Sequence, residues 1–325
     1  MKEFYDYDIN YPDLVLDIVD YFSAKPGEDI MQKQIFKFCT YYPGRSIQPE
    51  IVGMICDRLC KFHQMGIVRK GSFMSTEDIY IRNPNPDIAN KKDDYRLLFN
   101  SMAYGFEYIY RHYKTQVLPL VAYTKEGESI GSCFRVFDGI ATAKHCLIDG
   151  GNVAIKGYSA EFLNRCPIYV SDNDDIDLAF IKTGEQLILT VDTPRTLEDV
   201  LVMGYPKVPL FIDFCTGEKA TISAQAKLSL TPTRGSIAAQ EKMYILNDGP
   251  KIMLVTAKIR GGNSGGPVIN EAGSIVGIAT GIPDGEGYSD DHVGYGMAYP
   301  ITYLRDIIID ESKRTLPVEF VEFPE

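Results

Sequence analysis

The run Gly261-Gly262-Asn263-Ser264-Gly265-Gly266-Pro267-Val268 sets a hydroxyl between two pairs of glycines. Glycines on both sides free the backbone for conformations that a Cβ forbids, so neighbouring N–H groups can converge on one point. A hydroxyl beside converging donors is the arrangement acyl transfer requires, a nucleophile next to a pocket for an oxyanion. The competing reading is a glycine-rich turn ahead of the apolar strand Ile275-Val276-Gly277-Ile278.

A serine hydroxyl is a weak nucleophile unless a base activates it and a third group orients that base. The chain has four histidines. His63 falls in the N-terminal region, His112 ends a predicted helix, and His292 lies in the polar loop Ser289-Asp290-Asp291-His292. His145 is the one with a small-residue approach, in Thr142-Ala143-Lys144-His145-Cys146 after the strand-like Gly139-Ile140-Ala141. It therefore stands where a strand gives way to a turn. Downstream, Asp172-Asn173-Asp174-Asp175-Ile176-Asp177 runs into Leu178-Ala179-Phe180-Ile181. An acid entering such a run is costly to bury unless hydrogen-bonded, and orienting a histidine supplies that bond.

The elements that must position these groups fall into two parts. With 325 residues, 45% of them hydrophobic and 24% charged, the chain can fill two or three globular cores. Acidic residues interrupt the N-terminus before a secretory apolar core can form, and no run is long enough to cross a bilayer. An intracellular, soluble protein is expected. The net charge of −11 argues against bulk attraction to nucleic acid or anionic membrane. Seven cysteines show no framework spacing. Cys56 and Cys60, one helical turn apart, lack a second ligand pair and read as core thiols rather than metal ligands.

In the first part a helix is predicted from Pro12, capped by Asn10 or Asp13, with Leu14, Ile18 (or Val19) and Phe22 on one face. A second runs near Asp29 to Tyr41, and a third, after Pro49, carries Ile51, Ile55, Leu59 and Phe62. Ile67-Val68-Arg69-Lys70 and Ile79-Tyr80-Ile81-Arg82 then read as a hairpin. Three helices and a hairpin resemble a winged helix. In DNA-binding members the third helix enters the major groove, which here would present Arg58, Lys61 and His63, with Arg69 and Lys70 on the wing. Twelve basic against thirteen acidic residues in 1–92 suit a protein partner at least as well as DNA. Asn83-Pro84-Asn85-Pro86 reads as a linker. A connecting helix follows from about Asp93, with Leu98, Met102, Phe106, Ile109 and Tyr113 at helical spacing.

After Tyr113 the pattern changes to short β-like runs separated by Gly, Pro and Asp, which implies a barrel or sandwich. Only Tyr299 to Ile308 returns to a helical period. Thr142-Ala143-Lys144-His145-Cys146, Asp177-Leu178-Ala179 and Gly262-Asn263-Ser264-Gly265-Gly266-Pro267, in that order, resemble a chymotrypsin-fold (trypsin-like) serine peptidase. The closest resemblance is to the HtrA (Deg) protease domain, which Gly294-Tyr295-Gly296-Met297-Ala298-Tyr299-Pro300 also matches. It implies two six-stranded β-barrels with the active site between them. Ser264 would be the nucleophile, His145 the base, Asp177 its orienting partner, and the N–H groups of Gly262 and Ser264 the oxyanion hole. The expected organisation is multidomain: a winged-helix-like α/β domain (1–88), a linker and connecting helix (89–113), a mainly-β double-barrel protease domain (114–316) and a C-terminal tail (317–325).

Several positions depart from relatives. Digestive-type enzymes carry an aspartate before the serine that pairs with a newly cut N-terminus; here it is Asn263, so that activation route is not expected. Cys133 is offset from where a partner for Cys146 would fall, so Cys146 is expected to be a free thiol. No length for a PDZ domain follows residue 316, which leaves regulation or recruitment to the N-terminal module or to a partner. By the family pattern Lys258, Ile259, Arg260, Ile278, Ala279 and Thr280 would line the primary pocket, without an acid to select basic residues. A small or medium apolar residue is expected before the cleaved bond. No metal or cofactor is expected. The leading reading is an intracellular serine endopeptidase acting on protein or peptide, its first domain taking a protein activator or DNA. The alternatives are a DNA-binding regulator that cleaves itself or a partner, and a binding module on an inactive protease fold.

Overall fold

Residue 139 explains how the first sheet is built. An added Cβ at Gly139 would lie 2.2 Å from the Ile181 carbonyl oxygen, so only glycine lets its strand approach that neighbour so closely. The computed structural model describes residues 4–29, 33–42, 47–69, 79–82, 91–124, 127–148, 151–187, 189–206, 228–242, 249–281, 294–310 and 316–324. They form two compact units, Met1–His112 with Glu271–Gly273, and Tyr113–Asn270 with Ser274–Glu325.

The first unit holds α1 (Tyr7–Asn10), α2 (Leu14–Tyr21), α3 (Ile35–Tyr41) and α4 (Pro49–Lys61), then the antiparallel pair β1 (Gly66–Arg69) and β2 (Ile79–Ile81). The expected helices and hairpin are present, with differences. Asp13 makes no side-chain cap, and the Asn10 amide donates instead to the Asp6 carbonyl at 2.8 Å. The second helix is shorter than its periodicity suggests, starting at Ile35. The Asn83–Pro86 linker lies outside the described residues. The connecting segment is two helices, α5 (Lys92–Tyr104) and α6 (Phe106–Tyr113), broken at Gly105, whose φ of 73° ends the first. The α5 helix packs on the first unit. Arg96 pairs with Asp13 and Lys92 with Asp17, each at 2.8 Å, and Leu97 rather than Leu98 is the buried member.

The second unit has β3 (Val117–Thr124), β4 (Gly127–Thr142), α7 (His145–Ile148), β5 (Asn152–Ile155), α8 (Ala160–Leu163), β6 (Ile168–Val170), β7 (Ala179–Leu187), β8 (Asp199–Gly204), β9 (Thr231–Lys242), β10 (Lys251–Val255), β11 (Pro267–Asn270), β12 (Ile275–Gly281), β13 (Gly296–Pro300), α9 (Ile301–Ile309) and β14 (Glu319–Phe320). Strands β10-β13-β12-β11-β8-β9 close a barrel. The other half is a six-stranded sheet ordered β14-β5-β3-β4-β7-β6, which corrects the expectation of a second closed barrel. The edge of β5 is taken by β14 in a parallel pairing, Glu319 to Asn152 and Phe320 to Val153, so the segment expected as a tail completes this sheet. Phe320, 3% exposed, packs in its core with Leu120, Val153 and Ile181. Phe320→Ala should lower stability by about 3–5 kcal/mol. Chemical denaturation checks this, and a loss near zero would mean the strand is dispensable.

Candidate active site

Strand β4 is long and bent. A register shift between Phe137 and Gly139 lets its first half pair with β3 and its second half with β7. At the end of that ladder Thr142 sits opposite Ala179. His145 lies just beyond the first and Asp177 just before the second, so two neighbouring strand ends bring them together. His145 Nδ1 is 2.6 Å from Asp177 Oδ2, and the His145 backbone N–H donates to Asp177 Oδ1 at 2.8 Å. Both carboxylate oxygens are engaged, which fixes the plane of the carboxylate and, through it, the imidazole. The loop behind is held as well. Lys144 Nζ donates to the Asp174 carbonyl at 3.0 Å, and Tyr299 OH to the Asp175 carbonyl at 2.5 Å.

Burial pushes the His145 imidazole towards a lower pKa. The hydrogen bonds and charges of Asp177 and Cys146 together outweigh it and hold the ring above its ordinary value. The side chain remains 40% exposed, open to a reactant from the cleft side.

Ser264 precedes β11 in a loop tied to β12. Gly265 N–H donates to the Ala279 carbonyl at 2.7 Å, and Ala279 N–H to the Gly266 carbonyl at 2.8 Å. Gly262 and Gly265 have φ of 102° and 86°, the left-handed region that requires glycine. The N–H groups of Gly262 and Ser264 have no acceptor among the described residues. Asn263 is buried at 1% exposure, and its Oδ1 has no donor among the described residues. A charged aspartate there would be a buried, unpaired anion.

His145, Gly262 and Ser264 line one cavity of about 170 Å³, together with Leu120, Ala122, Ile130 and the thiol-bearing Cys146. Cys133 and Cys146 are both free. The Ser264 hydroxyl donates to the Thr280 carbonyl at 3.0 Å, so its proton points at β12 rather than at the imidazole.

The remaining expected site residues divide. Thr280 meets Ser264 through its carbonyl, and Lys258 and Arg260 are exposed beside the loop. Ile259 and Ala279 are core residues of the closed barrel, and Ile278 is fully buried. In the first unit Arg58 is turned inward, donating to the Ala103 carbonyl at 2.8 Å and lying 4.9 Å from the Phe4 ring centroid. That leaves it poorly placed for a phosphate. Lys61 is exposed. The Arg69 side chain and Lys70 lie outside the described residues. Sequence reading missed Leu120, Ile130 and Ser132. For Ser132 a signal existed, a hydroxyl in the apolar strand context Cys133-Phe134, which needs a partner if buried.

Residues 131–278 match the family described as trypsin-like peptidase domain. Magnetosome formation protease MamE of Paramagnetospirillum magneticum is 26% identical over 208 residues, 58% of this chain and 24% of that protein. The chain thus spans about a quarter of the length of this curated relative. Among solved structures, the active form of the Rv3671c protease from M. tuberculosis is similar over 72% of this chain and 90% of its own, at 16% identity and a TM-score of 0.46. The HtrA-type protease AlgW with tripeptide is similar over 63% of this chain and 64% of its own, at 23% identity and a TM-score of 0.45.

Proposed function

We propose, for a chain whose residues 131–278 match the trypsin-like peptidase domain, that it is a serine endopeptidase in which Ser264, His145 and Asp177 act as one unit. Ser264 Oγ rotates from Thr280 and attacks the scissile carbonyl. His145 takes its proton and returns it to the leaving amine, while Asp177 holds the tautomer and stabilises the imidazolium. The N–H groups of Gly262 and Ser264 receive the oxyanion. The observation that carries this reading is one cavity lined by His145, Gly262 and Ser264, with His145 hydrogen-bonded to Asp177 and the Gly262 and Ser264 N–H groups without an acceptor among the described residues. The substrate is a protein or peptide.

In the same reading the first unit is a winged-helix-like module that recruits a partner or regulates the protease, within the cell. Its helix and hairpin order supports this, as does a cavity of about 410 Å³ lined by Tyr21, Phe38, Tyr41 and Tyr42 with Asp17, Asp20, Lys25 and Lys33. Mixed charge and aromatic rings suit a polypeptide better than a phosphate backbone. A fluorophosphonate probe tests the core of the proposal. The adduct is expected on the peptide containing Ser264 when mapped by mass spectrometry. An adduct confined to another residue, or none, removes the assignment.

A further inference from the structure

Ser132 is fully buried in β4 and takes part in none of the proton transfers above. Its hydroxyl donates to the Gly262 carbonyl at 2.7 Å and accepts from the Tyr205 N–H at 2.9 Å. Its backbone N–H donates to the Ser264 carbonyl at 2.8 Å, and the Ser132 carbonyl accepts from Thr142 Oγ1 at 2.8 Å. One residue of the first sheet therefore grips the carbonyls on both sides of Asn263. Peptide units are planar, so each pinned carbonyl fixes a plane. The two planes bracket the Asn263–Ser264 peptide, whose N–H is one of the two donors. The pin on Gly262 also selects its φ of 102° from the several conformers glycine visits, and so aims the second donor. Tyr205 closes the triangle, since a Cβ on Gly262 would lie 2.3 Å from the Tyr205 carbonyl oxygen.

We propose that Ser132 is the positioning residue that orders the oxyanion loop, its hydroxyl clamping Gly262 so that the Gly262 and Ser264 N–H groups point at one site. The inference rests on the endopeptidase reading and names what holds that loop. No pairing through Asn263 is required, because the clamp comes from the first sheet.

The test uses the full chain and Ser132→Ala. The rate of phosphonylation by a fluorophosphonate should fall about tenfold or more, and the dissociation constant for phenylboronic acid should rise by a similar factor, because both probes place an oxygen in the hole. The pH midpoint of phosphonylation should stay where it is, since the His145–Asp177 pair is untouched. Amide exchange over Asn263–Gly266 should quicken about tenfold. Ser132→Cys, which keeps a weak donor in place, should fall between the two, and it carries the comparison if alanine unfolds the domain. Phosphonylation and boronate binding both within about twofold of wild type overturn the proposal. So does a loss accompanied by a shifted pH midpoint, which would put the effect on His145. If wild-type Ser264 is never phosphonylated the endopeptidase reading fails, and the exchange comparison still decides whether Ser132 orders the loop.

Discussion

Asp177→Asn is expected to lower kcat by about 10⁴-fold while leaving the fold intact. In the native chain one carboxylate oxygen accepts the His145 backbone N–H and the other accepts Nδ1–H. An asparagine can keep the first bond with its carbonyl oxygen, which turns its NH₂ towards Nδ1. The imidazole must then carry its proton on Nε2, the nitrogen that has to receive the proton of Ser264. The isosteric side chain keeps the packing, so circular dichroism should change little, while the stability that the carboxylate lends a protonated His145 is lost. Steady-state hydrolysis of a peptide, or the fluorophosphonate rate, reads the loss. A decrease of less than about tenfold would mean that Asp177 holds the loop without governing the tautomer.

The rate should also rise with pH, by about tenfold per unit until the His145 imidazole is neutral, and level off above that point. The midpoint is expected above the ordinary histidine value of 6.5, because Asp177 and Cys146 together outweigh burial. In Asp177→Asn burial remains and the opposing carboxylate is gone, so the midpoint should move below that of the native chain. Stability has the opposite slope. A histidine whose folded pKa lies above its unfolded value stabilises the fold fully below pH 6.5, and that contribution is lost as pH rises through the folded value. Between those two values activity should climb as the thermal midpoint declines. The pH dependence of phosphonylation and of thermal unfolding, recorded in parallel, tests both directions; a kinetic midpoint at or below 6.5 contradicts the first.

What could be read from the sequence was what is local. The small-residue approach to His145, the acid at the head of an apolar strand, and the paired glycines around Ser264 each announce themselves within a few residues, and their order fits the peptidase domain that residues 131–278 match. The helix and hairpin order of the first unit was legible for the same reason. Strand β9 escaped because Thr-Pro-Thr-Arg-Gly-Ser is polar, and only Ile237 in it is buried. Strand β14 escaped because two residues show no period. The direction of the Ser264 hydroxyl and the grip of Ser132 on residue 262 depend on partners brought together by the barrel and the sheet. No spacing rule spans such a separation. The burial of Ile259, Ile278 and Ala279 was not legible either, because family position fixes where a backbone runs, not which way a side chain faces.

The pairing of Phe320 with Val153 joins residues far apart along the chain. During synthesis the sheet that carries His145 and Asp177 emerges first, with the edge of β5 bare and a hole where the Phe320 ring belongs. The closed barrel carrying Ser264 can be assembled before that hole is filled. The sheet that carries the His145–Asp177 pair is thus completed by residues synthesised after every strand of the closed barrel.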